Sequence, residues 1–130
     1  MNSTPTIFIV DDDKFLLGMY STKFKKGGFT VESALSPEEA LQKLRGGLRP
    51  DVFLMDIIMP GMSGLEMLET AQKEKLLEGA TVIVLTNQGD QNDIDKAKSL
   101  NVQGYIVKAT TIPSEVVDEV TKIYKEHQGK

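Results

Sequence analysis

Five times along this chain a short apolar run gives way to a longer amphipathic stretch, and that alternation constrains the fold more than any other feature. The runs are Ile7–Val10, Phe29–Ala34, Val52–Met55, Val82–Leu85 and Tyr105–Val107. Their length, their β-branched and aromatic content and the turn-forming or charged residues around them are those of strands. The stretches between them carry helical spacing. Phe15, Leu16, Met19, Tyr20 and Phe24 share one face of a first helix, and Ala40, Leu41 and Leu44 one face of a second. Leu65, Met67, Leu68 and Ala71 mark a third helix, expected to run on through Leu76-Leu77. Ile94, Ala97 and Leu100 make a weaker fourth; Ile112, Val116, Val120, Ile123 and Tyr124 make the fifth.

Punctuation agrees with this division. Ser36-Pro37-Glu38-Glu39 reads as a helix start, with Ser36 as N-cap, Pro37 at the first helical position and Glu39 closing a capping box. Gly27-Gly28, Gly46-Gly47 and Gly79 read as helix ends, and Pro113-Ser114-Glu115 opens the last helix. Five strands alternating with five helices predict an α/β fold, (βα)₅, with a doubly wound five-stranded parallel sheet covered on both faces. Four runs are apolar on both faces, as buried parallel strands are. The second alternates, Phe29, Val31 and Ser33 against Thr30, Glu32 and Ala34, which suits a sheet edge. A length of 130 residues fits one domain, 1–130, with a core of about 6–127.

Composition removes several classes of function. There is no cysteine, so disulfides, thiolate metal sites and cysteine nucleophiles are excluded. The one histidine, His127, lies at the chain end and is expected to be a solvated tail residue rather than part of a triad or zinc site. A net charge of −4 argues against a nucleic-acid grip. Uninterrupted apolar runs reach four residues, far short of the roughly 20 that a membrane span needs. The N-terminus has no signal-peptide pattern, so a soluble cytoplasmic chain is expected.

A doubly wound sheet places its ligand beyond the carboxyl ends of the strands. There stand Asp11, Asp12 and Asp13 after the first strand, Asp56 after the third, Thr86 and Asn87 after the fourth, and Lys108 after the fifth. Asp13 falls where the N-cap of the first helix belongs. Asp11, Asp12 and Asp56 would converge, and at about 4 Å and an effective dielectric near 20 each like pair costs roughly 4 kcal/mol before relaxation. A hard cation bound by oxygen relieves that, and Mg²⁺ suits such ligands. With Lys108 added, the site is prepared for further negative charge such as a phosphoryl group. Asp56, after the central strand, is the candidate nucleophile, since carboxylates form aspartyl phosphates. Thr86 is placed to donate its hydroxyl to a phosphoryl oxygen.

These residues resemble the receiver domain of bacterial two-component response regulators. The matching pieces are Ile9-Val10-Asp11-Asp12-Asp13, Leu54-Met55-Asp56-Ile57-Ile58-Met59-Pro60-Gly61-Met62-Ser63-Gly64, Val84-Leu85-Thr86 and Gly104-Tyr105-Ile106-Val107-Lys108, in the family's order and spacing. The resemblance implies the flavodoxin-like strand order 2-1-3-4-5, in agreement with an edge position for the second strand. It implies Asp56 as phosphoacceptor, and Mg²⁺ held by Asp11, Asp12, Asp56 and the backbone carbonyl of Ile58. Thr86, Asn87 and Lys108 would surround the phosphoryl group, with Thr86 and Tyr105 acting as a switch. The expected donor is a histidine kinase or histidine phosphotransfer protein. The output face would be the fourth helix, fifth strand and fifth helix, about 91–126, read by a downstream target protein. Nothing follows that face in this chain, so a stand-alone receiver is expected, a signalling phosphoacceptor and not a turnover enzyme.

Three positions depart from the family pattern: Ala109 where proline is usual, Asn87 where a small residue is usual, and an apolar Ile58 where polar side chains are common. Without proline the Lys108–Ala109 bond is expected to be trans, because cis costs an ordinary residue about 2.5–4 kcal/mol. A haloacid-dehalogenase-type phosphohydrolase is the enzyme alternative. It needs an acid two residues after its nucleophile, where Asp56 is followed by Ile58; Asp11 and Asp13 have that spacing, but the chain is short for that fold. A phosphate-independent pseudo-receiver conflicts with the intact acid set. A flavin-binding fold lacks its phosphate-cradling loop, and Asp11-Asp12-Asp13 would repel a flavin phosphate.

Overall fold

A computed structural model describes residues 4–59, 61–86, 91–108 and 111–128. Asn87 and the Lys108–Ala109 bond, both singled out above, lie outside the described residues. The elements alternate as expected: β1 (Thr6–Val10), α1 (Lys14–Lys26), β2 (Thr30–Ala34), α2 (Pro37–Arg45), β3 (Val52–Met55), α3 (Gly64–Lys73), β4 (Thr81–Thr86), α4 (Gln91–Ser99), β5 (Gly104–Val107) and α5 (Pro113–Gln128). The five strands form one sheet in the order β2-β1-β3-β4-β5. All neighbours are parallel, with Val10 opposite Met55, Met55 opposite Val84 and Thr86 opposite Val107. β2 is the edge strand that its alternating sequence predicts, paired to β1 alone.

Strand alternation divides the core into two layers. Phe8, Val10, Phe53, Met55, Val82 and Val84 face the helices α2, α3 and α4. Ile7, Ile9, Val52, Leu54, Ile83 and Leu85 face α1 and α5. Because every carboxyl strand end emerges on one edge, the residues that follow β1, β3, β4 and β5 share it.

The helix termini show where local signals succeed and where they fall short. Asp13 caps α1, its carboxylate accepting the N–H groups of Phe15 and Leu16. At the other end Gly28 takes φ +97°, and the Phe29 N–H reaches back to the Phe24 carbonyl, the turn that favours glycine. Ser36 caps α2 as expected, accepting the Glu39 N–H, but Glu39 reaches the N–H of Leu35 rather than that of Ser36. The reciprocal capping box belongs instead to α3, between Ser63 and Glu66.

Two further expectations are corrected. α3 does not continue through Leu76-Leu77: Lys75 takes φ +58°, and the Lys75 and Leu76 N–H groups bond back to Gln72 and Ala71. The chain turns there, and both leucines still enter the core at 8% and 7% exposure. Their apolar spacing reflects packing, not helix. His127 is not a solvated tail residue. It is half-buried in the last turn of α5, with Nδ1 2.6 Å from the hydroxyl of fully buried Thr81. A buried hydroxyl without a partner is costly, so this contact ties the end of α5 to the start of β4.

Candidate functional site

Asp11 directly follows β1 and Asp56 directly follows β3, two adjacent parallel strands whose registered ends put both carboxyl groups at one edge. Asp11 is 2% exposed and Asp56 6%. Asp12, the next residue, is exposed. One carboxylate oxygen from each of Asp11, Asp12 and Asp56 lies within 4.8 Å of the other two. Lys108, at the end of β5, crosses β4 to join them. Its Nζ lies 2.7 Å from Asp11 Oδ2 and 2.9 Å from Asp56 Oδ2, with the lysine side chain 6% exposed. The acid cluster is therefore bridged by an ammonium across two of its members.

The second oxygens of both buried acids take backbone donors. Asp11 Oδ1 accepts the Asp13 N–H at 2.9 Å, and Asp56 Oδ1 accepts the Ile58 N–H at 3.2 Å. These bonds orient the carboxylates and leave them short of full solvation. Burial raises the Asp56 pKa above the ordinary aspartate value, and it outweighs the hydrogen bond and charge of Lys108, which pull the other way; Asp11 reinforces the rise. Burial also opposes the charge on Lys108, yet the two carboxylates together lift its pKa above the usual lysine range. The pair is thus held charged by mutual attraction in a place that disfavours each charge alone.

Thr86 ends β4 between Asp56 and Lys108 in strand order. It is 1% exposed, and its hydroxyl has no hydrogen-bond partner among the described residues. Buried hydroxyls are normally paired, so this one marks a place where an acceptor is expected. Tyr105 on β5 is half-buried, its hydroxyl is buried, and its ring packs against the layer shared by α3 and α4.

Several parts of the site were not apparent from residue types. A methyl group on Gly64 would meet the backbone carbonyl of Asp56, so the first residue of α3 must be glycine for the loop to close behind the acid. The Gly64 N–H donates to the Ile57 carbonyl at 2.8 Å in that same closure. Tyr20 of α1 is 3% exposed. Burial pushes its phenol up, with Lys108 opposing and Asp11, Asp56 and Asp13 reinforcing, so it shares the electric field of the site. Tyr20 looks in sequence like any apolar-face residue, and nothing local distinguishes it. Ile58 is 66% exposed beside Asp56. Asn87 lies outside the described residues.

The oxygen-only ligand set, its spacing and the orphaned Thr86 hydroxyl fit a hard divalent cation and an incoming anionic group. Comparison with known proteins agrees. The family model for the response regulator receiver domain matches residues 7–121. The chemotaxis protein CheY of Thermotoga maritima is 32% identical over 120 residues, covering 92% of this chain and 97% of that protein. The phosphate regulon regulator PhoB of Rhizobium meliloti is 28% identical and covers 84% of this chain, which spans only about half, 48%, of that longer protein. A CheY-like receiver domain protein from Methanospirillum hungatei superposes with a TM-score of 0.88 at 27% identity, covering 98% of both chains. Fold, site and comparisons converge on one conclusion: this chain belongs to the response regulator receiver family.

Proposed function

We propose that Asp56 accepts a phosphoryl group from a phosphohistidine on a histidine kinase or histidine phosphotransfer protein. The observation that carries this reading is a buried, oriented carboxylate bridged to a buried ammonium, with a buried hydroxyl at the end of the intervening strand that lacks a partner among the described residues. An Asp56 oxygen forms the new bond to phosphorus while the phosphorus–nitrogen bond of the donor breaks. The electron pair returns to the imidazole, which takes up a proton. Asp11, Asp12, Asp56 and the backbone carbonyl of Ile58 would hold Mg²⁺, which supplies positive charge to offset that of the transferring group.

Lys108 is already within hydrogen-bond distance of Asp56 and passes to a phosphoryl oxygen as charge builds there. The Thr86 hydroxyl gains an acceptor and moves toward it, and Asn87, the next residue in the sequence, is assigned to the same phosphoryl group. Tyr105, on the next strand, follows into the space behind Thr86. The change is then read on α4, β5 and α5 by a target protein. The reading treats residues 1–130 as one receiver with its core at about 6–127, acting as a phosphoacceptor and not as a turnover enzyme. No described helix is long and apolar enough to cross a membrane, in keeping with a cytoplasmic site of action.

The test is an intact-mass measurement after incubation with Mg²⁺ and acetyl phosphate. The expected result is a gain of one phosphoryl group that is absent from Asp56→Asn and from chelator-treated protein. A gain that survives Asp56→Asn removes the assignment.

A further inference from the structure

Methionine is spread unevenly along this chain. Of its six methionines, four lie between residues 55 and 67, on either side of Asp56, and there is no cysteine to share their chemistry. Met55, Met59, Met62 and Met67 all join the apolar layer on the α2, α3 and α4 side of the sheet. Met55 and Met67 are 0% exposed and Met59 is 6% exposed. Met62 differs from these three. It is half-buried and packs against the layer from its rim, so solvent reaches part of a side chain that also helps to fill the core.

The backbone beside Met62 is held closely. Gly61 takes φ +81°. Ser63 and Glu66 exchange the two bonds of the capping box. The Gly64 N–H donates to the Ile57 carbonyl, and there is no room for a methyl group between Gly64 and the Asp56 carbonyl. Met62 is thus the apolar plug of a loop that starts at Asp56 and closes back on it.

We propose that Met62 is an oxidation site through which peroxides lower the phosphoryl-accepting capacity of Asp56. The consequence for Asp56 rests on the function proposed above. In the chemical step the thioether sulfur of Met62 attacks one peroxide oxygen. An S–O bond forms as the O–O bond breaks, and the second oxygen departs and takes up the remaining proton as water. Sulfur is oxidised to the sulfoxide and the peroxide is reduced.

A sulfoxide is strongly polar and is costly to return to an apolar layer without a hydrogen-bond donor. Its side chain turns outward, and Ser63 and Gly64, the next two residues, move with it. The contact of Gly64 with the Asp56 carbonyl then loosens, and the carboxylate loses its alignment. A displacement of about 1 Å at a reacting group can cost on the order of a hundredfold in rate. Met19 supplies the contrast. It is half-buried too, but it lies within α1, away from the loop that closes on Asp56.

The experiment treats the folded protein with graded hydrogen peroxide. Peptide mass mapping locates the added oxygen, and loading from acetyl phosphate with Mg²⁺ measures Asp56. Met62 should take up oxygen well before Met55, Met59 and Met67, and loading should fall about tenfold or more in step with it. Met62→Leu, similar in volume, should load like wild type before treatment and stay within about twofold afterwards. Met19→Leu should lose loading as wild type does. Met62→Gln, polar like the sulfoxide, should load slowly without any peroxide. Methionine sulfoxide reductases for both sulfoxide epimers should restore the wild type.

A Met62 that stays intact while the core methionines oxidise overturns the proposal. So does a fully oxidised Met62 with unchanged loading, or a Met62→Leu protein that loses loading as wild type does. Failure of untreated wild type to load from acetyl phosphate would instead defeat the function on which the inference rests.

Discussion

Helices α3 and α4 pack on the same face of the sheet and have nearly the same length, ten and nine residues, yet they are held very differently. α3 buries Gly64, Leu65, Met67, Leu68 and Ala71 and begins in a complete capping box. Among its described side chains α4 buries Ala97, with Ile94 half-buried, and the rest of its sequence is largely polar or charged. α3 starts directly behind Asp56, the proposed phosphoacceptor, with Gly64 against the Asp56 backbone carbonyl, and has to stay still for Asp56 to be oriented. α4 follows Thr86, whose hydroxyl has no partner among the described residues, and little apolar area restrains it. The contrast teaches that the site has a fixed wall and a compliant one, and that a charge placed on Asp56 has its cheaper mechanical response toward α4.

The sharpest way to break that comparison is truncation. Leu68→Ala removes a side chain with 0% exposure from α3 and should cost about 3 kcal/mol. Ile94→Ala in α4 should cost less than about 1 kcal/mol. Urea denaturation measures both, and similar losses would end the distinction.

Millimolar Mg²⁺ should raise the melting temperature. Binding to the folded state alone adds about 2.7 kcal/mol at a hundredfold excess over Kd. Lys108 already bridges Asp11 and Asp56, so the cation competes with an ammonium instead of filling a site of bare repulsion. Lys108→Met should therefore bind Mg²⁺ more tightly than wild type, read by calorimetric titration. Hydrogen exchange should slow around 11–13 and 56–64 more than in α4.

Gly64→Ala tests the fixed wall directly. Its methyl group meets a backbone carbonyl rather than a flexible side chain, so the expected cost is about 2 kcal/mol. Loading from acetyl phosphate should fall with it, because the loop that orients Asp56 has to shift. A variant of wild-type stability and loading rate would show that α3 yields as easily as α4.

Asp56→Asn should stabilise the protein at neutral pH by about 1 kcal/mol, because it removes a buried charge next to Asp11. The sign follows from the raised pKa of Asp56. The fold binds that proton more tightly than the unfolded chain does. Its favourable contribution is complete below the unfolded value of 3.8 and is lost as pH rises through the folded value. The advantage of the variant should therefore shrink on acidification and vanish below that window, as urea titrations at stepped pH would show. Lys108, also raised, contributes stability that is present below 10.5 and disappears as pH rises through its folded value.

The smallest stability effect is the most informative about the compliant wall. Thr86→Val replaces a buried hydroxyl that has no partner among the described residues with a methyl group of similar shape and should be neutral or stabilising by up to about 1 kcal/mol. With beryllofluoride as phosphoryl mimic, wild-type amide shifts should cluster from residue 91 to residue 124, and Thr86→Val should reduce them. Undiminished distant shifts in the variant would mean that the signal reaches α4 without the hydroxyl.

Strand and helix identity, the edge position of β2 and the convergence of Asp11, Asp56 and Lys108 were all legible in the chain. Local periodicity and capping chemistry act over a few residues, and parallel crossovers send every strand end to one edge. Other features depend on neighbours distant in sequence. The leucine pair after α3 keeps helical spacing but packs from a turn, since spacing records burial and not the dihedral angles of Lys75. His127 finds Thr81 across 46 residues. Gly64 is required by a carbonyl behind it, and Tyr20 enters the field of the site from another helix. Above all, the residues that follow the strands put three carboxylates and one ammonium at a single edge without showing which of them touch. Only the folded chain, by closing β5 beside β4, brings the Lys108 ammonium from 97 residues away to Asp11 and sets it against Asp56 as well, which offsets part of the cluster's charge.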